Sequence, residues 1–494
     1  MIDLFKSPDQ RTVLITALVS GMIVALSFPP LPFGFCAPLG VALLMWTLTL
    51  CRRPFSCGLL FGIGLATCAL YWIGWVTIPG VVALILIDSA GYGLLAIAHT
   101  RIRHRFGTLT SLVLFPGLWL VLEAVRGIGD IGFPWLNLAH TQLDYLWLYQ
   151  FVEFTGDLGL SFWVVSLGCL IYGTVSQRWT AGRVVVCLWI AAPAAWGAWR
   201  VSHLPGPAQT LIVGILQADI DTYRKWDDGY IDSSFILYDS LTRLVAPRVD
   251  LVIWPETAAP TYLGQIASRR NWAQQLSNEV GVPILIGTLS YRRSADRDYF
   301  FNSAYEVSPG DHWEGPYSKQ QLVPFGEMIP GARWFPILET LELGQSNFWP
   351  GPGPFVFDSA GAPHSVLICF ESAFSSLCRE QILKGARFLV IITNDSWYGR
   401  TSGPAQHAAL ASLRAVEFRV GVARAANGGI SLWTDRAGRR MDETGLFTKD
   451  VIVGTIELGR QQTFYARHGL WILWITGAPG ILMLLASLRK GTTQ

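Results

Sequence analysis

Charge is what this 494-residue chain has least of: Asp, Glu, Lys and Arg make up 15% of it, against about 25% in ordinary soluble domains. The deficit is local. Residues 12–51 and 54–87 carry no charge, and 469–488 form an uncharged block of 20, long enough to cross a bilayer. With 51% hydrophobic residues and a mean hydropathy of +0.37, the chain does not have the composition of an ordinary soluble enzyme. A net charge of +2 without a basic patch argues against a nucleic-acid partner. The eight histidines have no metal-ligand spacing, so neither a metal nor a cofactor is expected. Cysteine is scarce outside the apolar runs. Cys36, Cys51, Cys57, Cys68, Cys169 and Cys187 lie in or near such runs, where small apolar packing is the expected role. Only Cys369 and Cys378 stand in polar sequence. An oxidising compartment would permit a disulfide between them, but Cys369 ends a strand-like run while Cys378 falls mid-helix. Internal repeats, low-complexity segments and long polar linkers are also absent.

The apolar part reads as eight spans, roughly 12–28, 35–50, 57–76, 80–98, 107–125, 158–176, 183–200 and 469–488. Pro29-Pro30-Leu31-Pro32 follows the first of them where a signal peptide would have a small-residue cleavage site, so that span is a retained helix. Lys6 and Arg11, Arg52 and Arg53, Arg101, Arg103 and Arg105, Arg178 and Arg183, and Arg489 and Lys490 fall on one side if every span crosses. The opposite connections 29–34 and 77–79 hold no Lys or Arg, and 126–157 holds only Arg126. By the positive-inside rule both termini are cytoplasmic and the long polar segment is extracytoplasmic. Three parts result: 1–200 with seven helices, 201–468 as a separate domain, and 469–494 with the eighth helix and a tail. Asp88, inside the fourth span, is either a functional group or part of a polar bend with Ser89 and Gly91.

Within 201–468 short apolar strands alternate with helical patterns. Strands are predicted at Thr210–Gln217, Leu251–Pro255, Pro283–Ser290, Phe300–Val307, Ser365–Cys369, Phe388–Thr393, Gly421–Ala425 and Ile452–Ile456, and helices at 228–246, 267–280, 373–384 and 404–419. This interleaving predicts an α/β sandwich. Three groups stand at strand ends: Glu256 in Trp254-Pro255-Glu256-Thr257, Lys319 in the run Tyr317 to Glu327, and Cys369. A carboxylate, an ammonium and a thiol supply a base, an electrostatic clamp and a nucleophile, enough for acyl transfer through a thioester. Taken singly each is ordinary: an exposed carboxylate, a solvated lysine, a packing cysteine. A turn at Glu371-Ser372 and a helix from about Ala373, with Ser372 as N-cap, would bring the thiol near a helix N-terminus, and this together with a lysine ammonium would stabilise its thiolate.

The sequences WPET, K-x-x-L-V-P-F-G-E and C-x-E, in this order, resemble the Glu-Lys-Cys triad of the nitrilase superfamily. Seven helices before such a domain and one after it resemble the apolipoprotein N-acyltransferase family over essentially the whole chain. Further matches are Lys225-Trp226-Asp227, the Arg126 to Phe133-Pro134-Trp135 loop, and Asn394-Asp395-Ser396-Trp397-Tyr398-Gly399. The resemblance implies a nitrilase-like αββα sandwich inserted between the seventh and eighth helices. It implies transfer of an acyl chain from a phospholipid, typically phosphatidylethanolamine, through a Cys369 thioester to the terminal amine of a diacylglyceryl-cysteine lipoprotein. The setting would be a bacterial inner membrane, with a monomeric enzyme whose catalytic domain faces the periplasm. Glu256 would be the base, and Lys319 with the Phe370 amide would hold the oxyanion. Glu327 would orient Lys319, Glu371 would support the site or the incoming amine, and Trp226 would assist substrate docking. Arg126 and Trp135 are possible substrate-binding residues. Phe370 departs from the family, which often has Tyr after the cysteine. The aromatic run Asn347 to Gly353 reads as a mobile interfacial arm. A membrane-tethered amidase with the same triad is the main alternative. A transporter with a binding domain is weaker, since its spans should carry more charge than Asp88.

Overall fold

Polarity decides where the chain changes architecture. Up to Gly74, through Ile78–Ser202 and again from Leu470 it forms one compact helical unit, and Trp75–Thr77 with His203–Gly469 form a second. The computed structural model describes residues 8–176, 178–295, 297–331, 348–358 and 360–489.

Every expected span is a helix: Gln10–Ala25, Cys36–Leu50, Pro54–Leu70, Ile78–Phe106, Thr108–Arg126, Val152–Ser176, Gly182–Ser202 and Trp471–Leu488. Six are long and apolar enough to cross a membrane, whereas Gln10–Ala25 and Cys36–Leu50 are shorter. Their 16 and 15 residues reach only about 24 Å, against a hydrocarbon core of about 30 Å. Gly182–Ser202 and Trp471–Leu488 expose most of their apolar side chains, which suits hydrocarbon surroundings and not water. Val152–Ser176 starts before the expected residue 158 because a short helical piece precedes a kink at Gly156, whose φ of 66° interrupts the helical geometry.

Asp88 is not part of a polar bend. Arg126 Nε donates to its Oδ1 at 2.7 Å, and Arg126 Nη2 donates to the Tyr92 hydroxyl at 3.0 Å, all of them buried. Removing one partner of a buried pair costs on the order of 3–5 kcal/mol, so the pair ties Ile78–Phe106 firmly to the end of Thr108–Arg126. Glu123 accepts from Trp119 Nε1 and from the Leu138 amide, each at 2.9 Å, and so anchors the loop carrying Phe133-Pro134-Trp135.

Among its described residues the second unit has eleven strands: β1 (Thr210–Gln217), β2 (Leu251–Ile253), β3 (Ile284–Arg293), β4 (Asp298–Ser308), β5 (His312–Ser318), β6 (His364–Ile368), β7 (Phe388–Asn394), β8 (Val422–Asn427), β9 (Leu432–Thr434), β10 (Arg440–Glu443) and β11 (Asp450–Glu457). They form one sheet in the order β11-β1-β2-β3-β4-β5 and another in the order β10-β9-β8-β7-β6. The parallel steps β1 to β2 to β3 are bridged by helices Asp228–Val245 and Ala267–Val280. Those from β6 to β7 to β8 are bridged by Ser375–Leu383 and Gly403–Phe418. Each sheet buries an apolar face under its helices, around Tyr238, Trp254 and Leu276 in one case and Leu367, Ile391 and Phe418 in the other. The inner faces meet through buried polar bonds, such as Ser431 Oγ donating to Gln217 Oε1 at 2.7 Å. This is the expected αββα sandwich.

The predicted strands and helices of this unit match to within a few residues. Strands β5, β9 and β10 and the short helix Phe464–His468 are additions. β5 contains Gly315-Pro316, which reads as a turn, and lies at a sheet edge, where proline is tolerated. The carboxyl ends of β2, β6 and β7 deliver Glu256, Cys369 and Asn394-Asp395, as open α/β sheets commonly do.

Candidate active site

Glu256 sits in the turn just after β2. The turn lies directly on β3, where a Cβ at Gly287 would come 2.2 Å from the Pro255 carbonyl oxygen, so only glycine fits there. Both carboxylate oxygens of Glu256 are fixed: Asn302 Nδ2 donates to one at 2.7 Å and the Asn394 amide to the other at 2.8 Å. Lys319 directly follows β5, and its amide donates to the Asn302 carbonyl at 2.8 Å. Its Nζ donates to Glu327 Oε1 at 2.8 Å and lies 3.6 Å from Glu256 Oε1. Burial works against the ammonium, but Glu327, Glu256 and Cys369 outweigh it and hold the Lys319 pKa above the ordinary lysine range. Glu327 is itself held, since its Oε2 accepts from the Val323 amide at 2.9 Å.

Cys369 opens the 3-10 turn Cys369–Ala373 in a left-handed conformation, φ 54°. For a non-glycine residue this costs of order 1–3 kcal/mol. The sequence placed a helix start at Ala373 with Ser372 as cap. Instead the α-helix begins at Ser375 behind Phe374, and Ser372 Oγ donates back to the Cys369 carbonyl at 3.0 Å. The α-helix start is thus set back from the thiol, and of the two expected sources of thiolate stabilisation the pull of Lys319 is present but outweighed. Burial, and next the Glu256 charge, push the thiol up to about 12 against the opposing pull of Lys319. At neutral pH the sulfur carries its proton. Cys378 is fully buried in the core of the second sheet, and no disulfide joins it to Cys369.

Glu371 braces the turn. It accepts from the Ile368 amide at 2.7 Å, the Gln320 amide at 2.6 Å and the Tyr317 hydroxyl at 2.8 Å, and burial raises its pKa to about 7. These bonds fasten the cysteine turn to the segment just beyond Lys319. Phe370 is buried edge-on against Phe374, with ring centres 4.9 Å apart. A hydroxyl near the sulfur comes from Tyr398, 3.7 Å from Sγ.

A cavity of about 520 Å³ opens beside these groups, and Glu256, Glu327, Asn302, Lys225, Trp226 and Trp397 are among its lining residues. Lys225 is buried and donates to Thr257 Oγ1. Burial lowers its pKa to about 8, against the opposing pull of Glu256. Its Nζ lies 5.1 Å from the centre of the partly exposed Trp226 ring. The expected mobile arm is anchored at three backbone amides, the first that of Phe348, which donates to the Glu327 carbonyl at 2.9 Å. The Trp349 amide donates to the Phe300 carbonyl at 2.8 Å and the Gly351 amide to the Lys319 carbonyl at 2.7 Å. A Cβ at Gly351 would come 2.0 Å from the Ser318 carbonyl oxygen. Asn347 lies outside the described residues.

Arg126 and Trp135 belong to the helical unit. Both are buried, Arg126 against Asp88 and Trp135 between Trp72 at 5.2 Å and Phe133 at 5.8 Å. Sequence reasoning missed Asn302, which joins Glu256 to Lys319, as well as Tyr398. An asparagine between Phe301 and Ser303 in an apolar strand was the one available signal for the former. Among the described residues no cluster of His, Cys, Asp and Glu is arranged to hold a metal ion.

Comparison with known proteins yields matches along most of the chain. Residues 20–170 match the apolipoprotein N-acyltransferase N-terminal domain, and residues 213–465 match carbon-nitrogen hydrolases. The apolipoprotein N-acyltransferase of Geobacter metallireducens is 32% identical over 96% of this chain and 95% of its own. That of Chlorobaculum tepidum is 30% identical over 96% of each. Among solved structures, an amidase from Nesterenkonia sp. is 17% identical, with a TM-score of 0.39 over 54% of this chain and 94% of that one.

Proposed function

The chain belongs to the apolipoprotein N-acyltransferase family, and from that premise we propose that Glu256, Lys319 and Cys369 carry out acyl transfer from a phospholipid to the terminal amine of a diacylated lipoprotein. One observation carries the assignment of roles. A buried ammonium is held 2.8 Å from one carboxylate and 3.6 Å from another, and its charge couples to the cysteine thiol.

Because the thiol is protonated at rest, attack needs a base. Glu256 takes the thiol proton as Sγ adds to the ester carbonyl, and Lys319 with the Phe370 amide stabilises the oxyanion. Collapse breaks the ester C–O bond, Glu256 returns the proton to the departing lysophospholipid, and the thioester remains. Glu256 then deprotonates the incoming ammonium, and the amine adds to the thioester carbonyl. Expulsion of the thiolate, reprotonated through Glu256, and loss of the nitrogen's second proton to solvent leave an amide. Glu327 orients Lys319, and Glu371 keeps the turn in place. Trp226 at the cavity edge guides the second substrate. Arg126 and Trp135 act at one remove, by bracing the loop between Thr108–Arg126 and Val152–Ser176. We take phosphatidylethanolamine as the donor and the monomer as the working unit.

The test uses purified protein, phosphatidylethanolamine vesicles and a synthetic diacylated lipopeptide. N-acylated lipopeptide and lysophospholipid should appear together in equal amounts. Ammonia released from small amides, with no lipopeptide product, would favour the amidase.

The Lys and Arg pattern supports a bacterial inner-membrane protein with a periplasmic catalytic domain, cytoplasmic termini and boundaries near residues 200 and 469. A reporter fused after residue 220 should be active only outside the cytoplasm, and one after Gln494 only inside. Cytoplasmic activity at residue 220 would refute this topology.

A further inference from the structure

A chain of fully buried polar groups lies behind the cysteine turn, apart from the triad. Arg424 Nη2 donates to Asp395 Oδ2 at 2.5 Å, and Thr393 Oγ1 donates to Asp395 Oδ1 at 2.8 Å. His407 Nδ1 meets the same Oδ1 at 2.9 Å. Across the ring, His407 Nε2 lies 3.0 Å from the Cys369 carbonyl oxygen and 2.9 Å from Ser372 Oγ. Arg424, Asp395, His407 and Ser372 have no exposed surface.

A carboxylate and a carbonyl can only accept, so the ring donates at both ends only as the imidazolium, while a neutral ring serves the Cys369 carbonyl when its single N–H is on Nε2. Burial and then the Arg424 charge pull the His407 pKa down, while Asp395 and the Cys369 carbonyl push it back. Asp395 stays ionised because Arg424 and His407 overcome its burial and lower its pKa to about 2. The chain thus runs from a fixed cation through a fixed anion to a ring aimed at one carbonyl oxygen.

That oxygen belongs to the peptide unit whose other end is the Phe370 N–H. Hydrogen bonding to the oxygen of an amide polarises the whole unit and makes its N–H a stronger donor. It also fixes the peptide plane, at a residue whose left-handed φ would otherwise be unfavourable. We propose that His407 is a positioning residue for acyl transfer: held by Asp395 and Arg424, it orients and polarises the Cys369–Phe370 peptide so that the Phe370 amide meets the developing oxyanion. This rests on the acyl-enzyme reading above.

Two reactions of the same thiol separate this role from simple structural support. Iodoacetamide alkylates sulfur by displacement and forms no oxyanion. A p-nitrophenyl ester of a fatty acid acylates it through a tetrahedral oxyanion. Losing an oxyanion donor outright costs on the order of 10²–10³ in rate, and weakening one should cost less. In the full-length protein, His407→Phe should slow acylation by about tenfold to a hundredfold while alkylation changes by less than about threefold. His407→Gln, which keeps a donor, should recover most of the loss. If the phenylalanine variant fails to fold, Asp395→Asn, which loosens the ring, should show the same divergence between reactions. Parallel loss of both reactions across these variants, or unchanged acylation in His407→Phe, would overturn the inference alone. A wild-type thiol that is alkylated but never acylated would overturn the acyl-enzyme reading, and this inference with it.

Discussion

Lys319→Met should form no detectable acyl-enzyme when incubated with phospholipid, a loss well beyond the 10²–10³ or so expected for one oxyanion donor. The excess comes from what the ammonium leaves behind. Glu256 and Glu327 both approach Nζ, and Asn302 Nδ2 lies 2.7 Å from one and 3.4 Å from the other. Without the cation the buried Glu256 and the half-buried Glu327 face each other, and one must take up a proton. If that one is Glu256, the base is lost together with the clamp. Lys319→Arg should fail nearly as badly, because a planar guanidinium does not replace a compact ammonium between two carboxylates. Intact mass after incubation decides the matter. An adduct in Lys319→Met at more than about a tenth of the wild-type level would contradict the role given to Lys319.

Glu256→Gln should also block the adduct, for a reason that carries a pH signature. With the thiol pushed up to about 12, the thiolate at pH 7 is only about one part in 10⁵. The carboxylate must therefore take the proton during attack. In the variant no base remains, so residual acylation should rise about tenfold per pH unit on the alkaline side, following the thiolate population. The negative charge of Glu256 is one of the groups raising the thiol pKa, so its removal shifts this rise to lower pH. Cys369→Ser and Cys369→Ala should give no thioester at any pH, whereas Cys378→Ala should behave as wild type. A normal adduct in Glu256→Gln at neutral pH would end the general-base assignment. Acylation lost in Cys378→Ala and kept in Cys369→Ala would point to the wrong thiol.

Two members of the proposed triad were legible in the sequence because each breaks the pattern around it. Glu256 and Cys369 follow apolar runs, where a strand end delivers a side chain, whereas Lys319 follows the polar segment His312–Ser318 and stood out only through the K-x-x-L-V-P-F-G-E resemblance. Apolar blocks were legible for the same reason, through the complete absence of charge. What stayed hidden depended on register and on shifts of two residues. Asn302 is an unremarkable residue until the pairing of β3 with β4 sets it opposite Leu289 and points it at two carboxylates. The helix after Cys369 begins at Ser375 and not near Ala373, which sets its N-terminus back from the thiol. Burial completes the reversal, since no local pattern reveals how much protein surrounds a sulfur atom. Asp88 was visible as an anomaly, but its partner lies on the next helix, 38 positions away.

The pairing of Thr210 with Glu457 and of Gln217 with Asp450 joins the first strand of the catalytic unit to its last. The sheet therefore cannot close while the chain is being made. Until β11 emerges, β1 presents an open edge, and exposed edges of this kind recruit other strands. Completion waits on nearly the whole segment between the helices Gly182–Ser202 and Trp471–Leu488, a long-range closure of the sort that folds slowly. A nascent chain stalled before Asp450 would hold every residue of the triad and still lack the strand that completes its sheet, so limited proteolysis of such truncations should cut at β1 first.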